Sequence, residues 1–382
     1  MPSPLERTMP PVIPTTPWTV DHVRRIATQS GADLPLIGAA DVQPMIPGMD
    51  LWDMWQLQHS DGRLVVRDGR SLWFFLAAPR MADPGARHDH ARIRALSHGP
   101  DGWRDLGNAL PDGFSPGSRE WSGFAVLDDA GGMITLYFTA AGHRAGGPRF
   151  AQRLFETRRR LHDDAGEAMI DNWTPPVESI RPDGVHYVAA VQDEAGAGGI
   201  KGFRDPAWFR DPADSREYLL FTGSASPDPA AFDGVIGIAA RDAGAWRLLP
   251  PIVDATGVNR ELERPHIVMA GGRYYLFWST WAHRFAPGVP GRTGLYAMVA
   301  DRMAGPWRPV NGSGLVAANP VAEPFQTYCW WVTAEHRVIS FIDLWGLAGR
   351  DPDAPGVARA QFGGTAAPWF ALAFDGDRVT IA

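Results

Sequence analysis

Short apolar runs, each broken by glycine, proline or aspartate, follow one another along most of the chain. Runs of this kind between turn residues are typical of β-strands. One exception lies near the start, where Val20, Val23 and Ile26 recur at helical spacing behind Thr19, a good N-cap. A second helix is predicted from Arg149 to Leu161. The pattern therefore predicts an all-β fold with a short N-terminal helical segment.

A short aromatic-rich strand recurs five times, at intervals of about 55 to 85 residues. Each interval has room for one four-stranded blade and its loops, so the repeat predicts a five-bladed β-propeller. We expect a single domain over residues 1–382, with residues 1–17 extended or disordered. Because aromatic strands are common, a set of unrelated buried strands is the alternative. The five copies are Ser71–Leu76, Met133–Thr139, Glu217–Thr222, Arg273–Trp278 and Arg337–Ile342.

A cluster of polar and aromatic residues lies upstream of each aromatic strand. In a propeller the innermost strand of every blade lines the central channel, so residues at equivalent places in the repeats converge. We therefore expect the five clusters to form one pocket. Three of them supply a carboxylate: Asp53, Asp205 and Glu263. The clusters are Trp52–Trp55, Glu120–Gly123, Arg204–Pro206, Glu263–Pro265 and Gln326–Tyr328.

Carboxyl groups converging on one pocket suit glycosidic bond cleavage, which needs an acid and, in a retaining mechanism, a nucleophile. Arg204 and Arg264 adjoin two of the three carboxylates and can hold them by forked hydrogen bonds. The chain also has 16 tryptophans, whose flat faces suit sugar rings, although most are expected in the core. Each triplet taken singly fits a surface turn, but three in register with a repeat indicate a site.

The clusters resemble those of glycoside hydrolase family 68, which comprises levansucrases, inulosucrases and bacterial β-fructofuranosidases. The similarity extends from Trp18 to about Asp343, and its most specific segments are 48–55, 115–123, 203–206, 261–265 and 324–328. The resemblance implies a five-bladed propeller. It also implies a retaining enzyme that cleaves sucrose through a covalent fructosyl-enzyme. The fructosyl group would pass to water or to sugar acceptors, including fructo-oligosaccharides.

The resemblance also implies individual roles. Asp53 would be the nucleophile, Glu263 the general acid and then the base, and Asp205 the residue that stabilises the oxocarbenium-like transition state. One group of substrate-binding residues would surround the fructosyl unit, namely Trp52, Trp121, Ser122 and Arg204. A second group would face the leaving group or the acceptor, namely Glu261, Arg264 and Tyr328.

Some positions depart from the family pattern in the acceptor region. Phe124 follows the Trp-Ser-Gly segment where the family usually has a small polar residue, and Gly202 stands where related enzymes often carry Asn. A family position with Arg or His falls near Trp281 or His283. These departures favour hydrolysis and short oligosaccharides over long levan.

Charge and composition exclude several other classes. The net charge is −7 without a basic run, so neither nucleic acid nor an anionic membrane is an expected partner. Cys329 is the only cysteine, which excludes an intramolecular disulfide, and beside Trp330 and Trp331 it is interpreted as buried packing. The segment His88–His90 lacks a third ligand and is predicted to be a solvated loop. No metal or cofactor is expected.

The N-terminal prolines interrupt any apolar leader helix. We expect a secreted or periplasmic protein without an evident cleavable signal, with a cytoplasmic location left open. Oligomeric state is not predicted by any pattern in the chain.

Two other functions remain open at this stage. One is a five-bladed arabinan- or xylan-type hydrolase, which also uses three carboxylates but, where inverting, places them farther apart. The Trp-Ser-Gly and Phe-Gln-Thr-Tyr segments argue against it. The other is a sugar-binding propeller without catalysis, since fold alone does not imply activity.

Overall fold

The computed structural model describes residues 12–128, 130, 132–161, 172–192 and 199–382. Twenty-four strands and two short α-helices lie in these ranges, and the strands form five blades, here numbered I to V. The predicted all-β propeller is confirmed. Each predicted aromatic strand is present, and each pairs antiparallel with the strand before it that carries the corresponding cluster.

The N-terminal segment attaches to the blades through a strand and a capped helix. Its elements are β1 (Thr16–Pro17), α1 (Val20–Arg24) and a 3₁₀-helix (Arg25–Thr28). Thr19 caps α1 as predicted, and the ring of His22 accepts a hydrogen bond from the Thr19 N–H in return. Trp18 is buried, and its indole N–H donates to Ser313. The predicted 1–17 segment lies partly outside the described residues, but Thr16–Pro17 is an extended strand parallel to β14.

Blades I and II share one sheet because their innermost strands run side by side in parallel. Blade I comprises β2 (Met49–Gln58), β3 (Val66–Arg67), β4 (Arg70–Pro79), a 3₁₀-helix (Pro84–Asp89), β5 (Arg92–Gly99) and β6 (Gly102–Asn108). Blade II comprises β7 (Arg119–Asp128), β8 (Met133–Ala141), β9 (Gln152–Arg160) and β10 (Val177–Ile180).

The helix predicted over Arg149–Leu161 is wrong, because this segment contains strand β9. Gln152 to Arg160 pair residue by residue with β8, from Ala141 to Met133. Pairing with a buried neighbouring strand outweighs the local helix preference of the arginine- and leucine-containing sequence.

The remaining blades follow the same plan, and blade III ends at the N-terminal strand. Blade III comprises β11 (Phe203–Arg210), β12 (Glu217–Ser224), β13 (Gly234–Asp242) and β14 (Ala245–Asp254). Blade IV comprises β15 (Glu263–Ala270), β16 (Arg273–Thr280), 3₁₀-helices at Ala282–Arg284 and Val310–Gly312, β17 (Gly294–Ala300), β18 (Arg308–Pro309) and β19 (Leu315–Ala318). Blade V comprises β20 (Thr327–Val332), β21 (Arg337–Leu344), α2 (Val357–Gln361), β22 (Phe362–Ala366), β23 (Phe370–Asp375) and β24 (Arg378–Ile381).

The core lies between the blades and is rich in large aromatic side chains. Many of the tryptophans are fully buried, in line with the expectation that most of them pack rather than bind sugar. In the described part of the chain, no helix has the length and apolar character needed to cross a membrane.

Candidate active site

Each innermost strand contains a β-bulge at the same place. In all five blades the residue-by-residue pairing is interrupted once, and there the innermost strand has one more residue than its partner strand. We call the last paired residue before this interruption and the residue directly after it the bulge pair of that blade. A bulge turns side chains away from strict alternation, so both members of a pair can face the channel. The bulge pairs are Trp52–Asp53, Trp121–Ser122, Arg204–Asp205, Glu263–Arg264 and Tyr328–Cys329.

The bulge pairs converge on a cavity of about 350 Å³. Ligand pockets for small molecules typically enclose roughly 300–1,000 Å³, so a disaccharide-sized ligand fits this class. All ten residues predicted as catalytic or substrate-binding line it, and the convergence expected from the repeat is thus observed. A larger depression of about 930 Å³ lies at the far ends of β7 and β11 and contains none of the three carboxylates.

Asp53 keeps part of its carboxyl group accessible, with the side chain 16% exposed. The Ser122 hydroxyl donates to its Oδ2 across 2.5 Å, and Nη1 of Arg264 lies 3.7 Å from the same oxygen. Asp53 also lines the cavity, so this partly exposed and oriented carboxyl group is placed to act as the nucleophile.

Glu263 receives two donors from different blades. Nη2 of Arg204 lies 2.7 Å from Oε1, and the Tyr328 hydroxyl donates to Oε2. Burial, followed by the negative charge of Glu263, holds the pKa of Tyr328 well above its usual value, so the phenol remains a donor. The side chain of Glu263 is 15% exposed, and it opens into the same cavity as Asp53.

Asp205 is more deeply buried than the other two carboxylates. Its Oδ2 lies 2.9 Å from the Thr222 hydroxyl and 3.4 Å from the backbone nitrogen of Arg264. Burial raises the pKa of Asp205 to about 6, an effect opposed by Arg204 and reinforced by the charge of Glu263. Such a group holds or releases a proton near neutral pH.

Arg204 contacts three carboxyl groups. Arg204 contacts Glu263, Glu261 at 3.3 Å and Asp205 at 3.6 Å, while Arg284 contacts Glu261 at 2.9 Å. Among the described residues, the lining of the cavity holds five carboxyl groups and five guanidinium groups, so its formal charges balance.

Several contributors were not identified from the sequence. Arg284 fixes Glu261, and Trp281 stacks on Tyr328 with ring centroids 3.7 Å apart. Of the two residues near which a family Arg or His position was expected, Trp281 lines the cavity, whereas the His283 side chain is exposed.

The hydroxyl groups of Thr139 and Thr222 were also not predicted as site residues, although both lie at the ends of predicted aromatic strands. Thr139 donates to the carbonyl of Ser122 and accepts from the N–H of Asp205, which links blades II and III. Thr222 lies 3.1 Å from the carbonyl of Leu262, which links blades III and IV.

Other residues singled out from the sequence have surroundings in the structure that the sequence did not predict. Phe124 does not line the cavity but packs on Trp331, with ring centroids 5.8 Å apart. A side chain at Gly202 would come within 3.1 Å of Nη1 of Arg204, so glycine leaves room for that guanidinium. His88 and Asp89 belong to a 3₁₀-helix rather than a loop, and both border the cavity. Within the described residues no group of three or more His, Cys, Asp or Glu side chains could hold a metal ion.

The fold and the carboxylate-lined cavity define a five-bladed propeller of the glycoside hydrolase class. A sequence model of the family described as Levansucrase/Invertase matches residues 12–233 and 228–382. The chain therefore belongs to the levansucrase/invertase family, glycoside hydrolase family 68.

Individual relatives agree with this assignment over most of their length. A levansucrase of Pseudomonas savastanoi pv. glycinea, LscC, is 32% identical, with 90% of this chain and 85% of that protein covered. A levansucrase of Rahnella aquatilis is 31% identical, with coverage of 95% and 93%. Among solved structures, the inulosucrase from Halalkalicoccus jeotgali bound to kestose is 36% identical with a TM-score of 0.86, covering 96% of this chain and 95% of that one.

Proposed function

We propose that this protein cleaves sucrose by double displacement and transfers the fructosyl group to water or a sugar hydroxyl. The observation that carries the proposal is the common cavity of Asp53 and Glu263, each held by donors from other blades. The family and its fructan-related members support the substrate class. The arabinan- or xylan-type alternative and the non-catalytic sugar-binding propeller gain no support from the family match.

In the first step Asp53 attacks the anomeric carbon of the fructosyl unit while the bond to the glucosyl oxygen breaks. Glu263 gives its proton to that oxygen, and glucose leaves. Asp205, a buried carboxyl group in the same cavity, stabilises the developing positive charge when ionised. Retaining glycosidases use the same pair of steps.

In the second step Glu263 takes a proton from the incoming hydroxyl, which attacks the fructosyl carbon and releases Asp53. Water and sugars compete for this intermediate. Trp281, Phe150 and Ile200 border the cavity and offer apolar surface to a sugar acceptor. We infer that the protein performs both hydrolysis and transfer.

The test is a time course on sucrose in which free glucose and free fructose are measured separately. Equal release means hydrolysis alone, and glucose in excess means transfer, with the missing fructose recovered as oligosaccharide. No release of either sugar would reject sucrose as the substrate. Retention of configuration in the released fructosyl unit would separate this mechanism from that of an inverting hydrolase.

Matched variants assign the carboxylates. Asp53→Asn and Glu263→Gln should each lower turnover by about a thousandfold or more, as losses of nucleophile and acid do. Asp128→Asn, at the exposed far end of β7, is the control and should behave like the parent. Parent-like turnover by Asp53→Asn or Glu263→Gln would overturn the assignment.

A further inference from the structure

The bulge pairs account for nine of the ten site residues predicted from the sequence; Glu261 is the exception. The ten positions of the five pairs hold one further residue, Cys329, which takes the second position in blade V. Its backbone φ is +53°, close to +58° at Asp205 and +56° at Arg264, and the second residue of blade I, Asp53, has +35°. Positive φ is uncommon for residues other than glycine, so its recurrence marks equivalent positions.

We propose that Cys329 is a positioning residue whose thiol donates a hydrogen bond to the carboxylate of Asp53. The inference rests on the proposed function. It differs from the sequence-based interpretation of Cys329 as packing alone. The residue is indeed buried, at 5% exposure, but it also lines the cavity.

The second residues of the other blades surround Asp53 as well. Ser122 in blade II donates to Oδ2, and Arg264 in blade IV lies within 3.7 Å of it. Cys329 in blade V takes the equivalent bulge position and lines the same cavity as Asp53. The second positions of blades II, IV and V thus border the cavity that holds this carboxylate. Nη1 of Arg264, on a side chain only 3% exposed, has no hydrogen-bond partner among the described residues, which leaves it available inside the cavity.

The charges around Cys329 keep it a thiol. Burial, followed by the negative charges of Asp53 and Glu263, raises the pKa of Cys329 well above its usual range, and Arg264 opposes this effect. Arg87 and the Tyr328 hydroxyl are the other charged or titratable groups coupled to it. A protonated thiol is a donor, although a weak one. Cys329 can therefore donate to Asp53 and does not compete with it as a nucleophile.

The test compares Cys329→Ala with Cys329→Ser in steady-state sucrose cleavage from pH 4 to pH 8. The alanine variant should lose about three- to tenfold in kcat with little change in KM, since one modest hydrogen bond to the reacting group is removed. The serine variant keeps a donor and should stay close to the parent in both respects.

Val332→Ala is the matched control, because Val332 is a buried neighbour on β20 outside the cavity. It should lower thermal stability and leave kcat and KM close to the parent values across the pH range. Equal kcat values for parent and Cys329→Ala, or equal losses of kcat in the alanine and serine variants, would overturn the proposal. If Cys329→Ala fails to fold, Cys329→Gly carries the same test, since glycine accepts positive φ without strain. Absence of sucrose cleavage by the parent protein would instead reject the proposed function.

Discussion

The Ser122 hydroxyl donates to Oδ2 of Asp53 from a different blade, across 69 positions in the sequence. The two residues hold the second position of their bulge pairs, in neighbouring inner strands that run parallel. The nucleophile proposed for blade I thus depends on blade II for its orientation.

Ser122→Ala should lower kcat about ten- to a hundredfold, because a hydrogen bond to a charged group contributes roughly 1.5–3 kcal/mol. The melting temperature should change little. Steady-state kinetics and thermal unfolding test this. Ser118→Ala removes a hydroxyl that donates to the Ala141 carbonyl and lies outside the cavity lining, so it should behave like the parent. A parent-like Ser122→Ala variant would contradict the orienting role.

Tyr328→Phe tests the contribution of the Tyr328 hydroxyl group separately from that of its aromatic ring. Phenylalanine keeps the stacking on Trp281 and removes the donor to Glu263. We expect kcat to fall about tenfold or more and sucrose KM to stay within about threefold. Tyr328→Leu should raise KM as well, since it also loses the stacked ring. A larger change in KM than in kcat for Tyr328→Phe would assign the hydroxyl to substrate binding instead.

The raised pKa of Asp205, about 6, predicts the acid side of the activity profile. Below that pH the group is increasingly protonated and no longer offers a negative charge to the transition state. Turnover should therefore decline as the pH falls through about 6. The measurement is kcat for sucrose against pH at constant ionic strength. An undiminished kcat at pH 4.5 would show that the charge of Asp205 is not needed.

Glu120→Gln should stabilise the fold at neutral and higher pH. Glu120 is buried and accepts from the Ile93 N–H at 2.8 Å, and burial raises its pKa to about 7. A carboxyl group whose pKa is raised on folding costs stability once the pH exceeds its unfolded value, and the full cost is reached above the folded value.

The gain from Glu120→Gln should thus be absent near pH 4 and reach about 1–3 kcal/mol above pH 7. Chemical unfolding at both pH values measures it. Glu217→Gln, which breaks a surface ion pair with Arg210, should change stability by less than about 1 kcal/mol. A gain of equal size at both pH values would show that charge is not the cause.

Thr139→Val should affect stability and activity together. The isosteric valine leaves the N–H of Asp205 without its acceptor and frees the carbonyl of Ser122. An unsatisfied buried polar group costs about 1–3 kcal/mol. Thr135→Val on the same strand is the control. If Thr139→Val lowers stability but leaves kcat unchanged, the hydroxyl does not position the site.

The sequence allowed the five blades and their inner strands to be predicted because aromatic repeats and polar clusters are local patterns. The bulges were not predictable in this way. A bulge shifts the alternation of side chains by one residue, so Phe124 lies outside the cavity despite following Ser122 so closely. The error at β9 has a related cause, since pairing with β8 decides the conformation of that segment.

The carboxylates were predictable through their family pattern, but their partners were not. Arg284 reaches Glu261 from a 3₁₀-helix, and Thr139 reaches Asp205 from a neighbouring blade. Neither contact corresponds to a recognisable spacing of residues in the sequence, because each depends on how separate segments meet in space. Cys329 is buried as predicted, but its place in the cavity lining was not predictable, because its neighbours in the sequence are packing residues.

Because the same bulge recurs in all five blades, the activity of this protein can change without a change in its fold. The backbone offers the same pair of positions five times, and the chemistry depends on which side chain occupies each. A new specificity could therefore arise by exchange of one or two side chains, without insertion, deletion or a change of strand register. Laboratory libraries confined to these ten positions would explore that freedom while the blades stay intact.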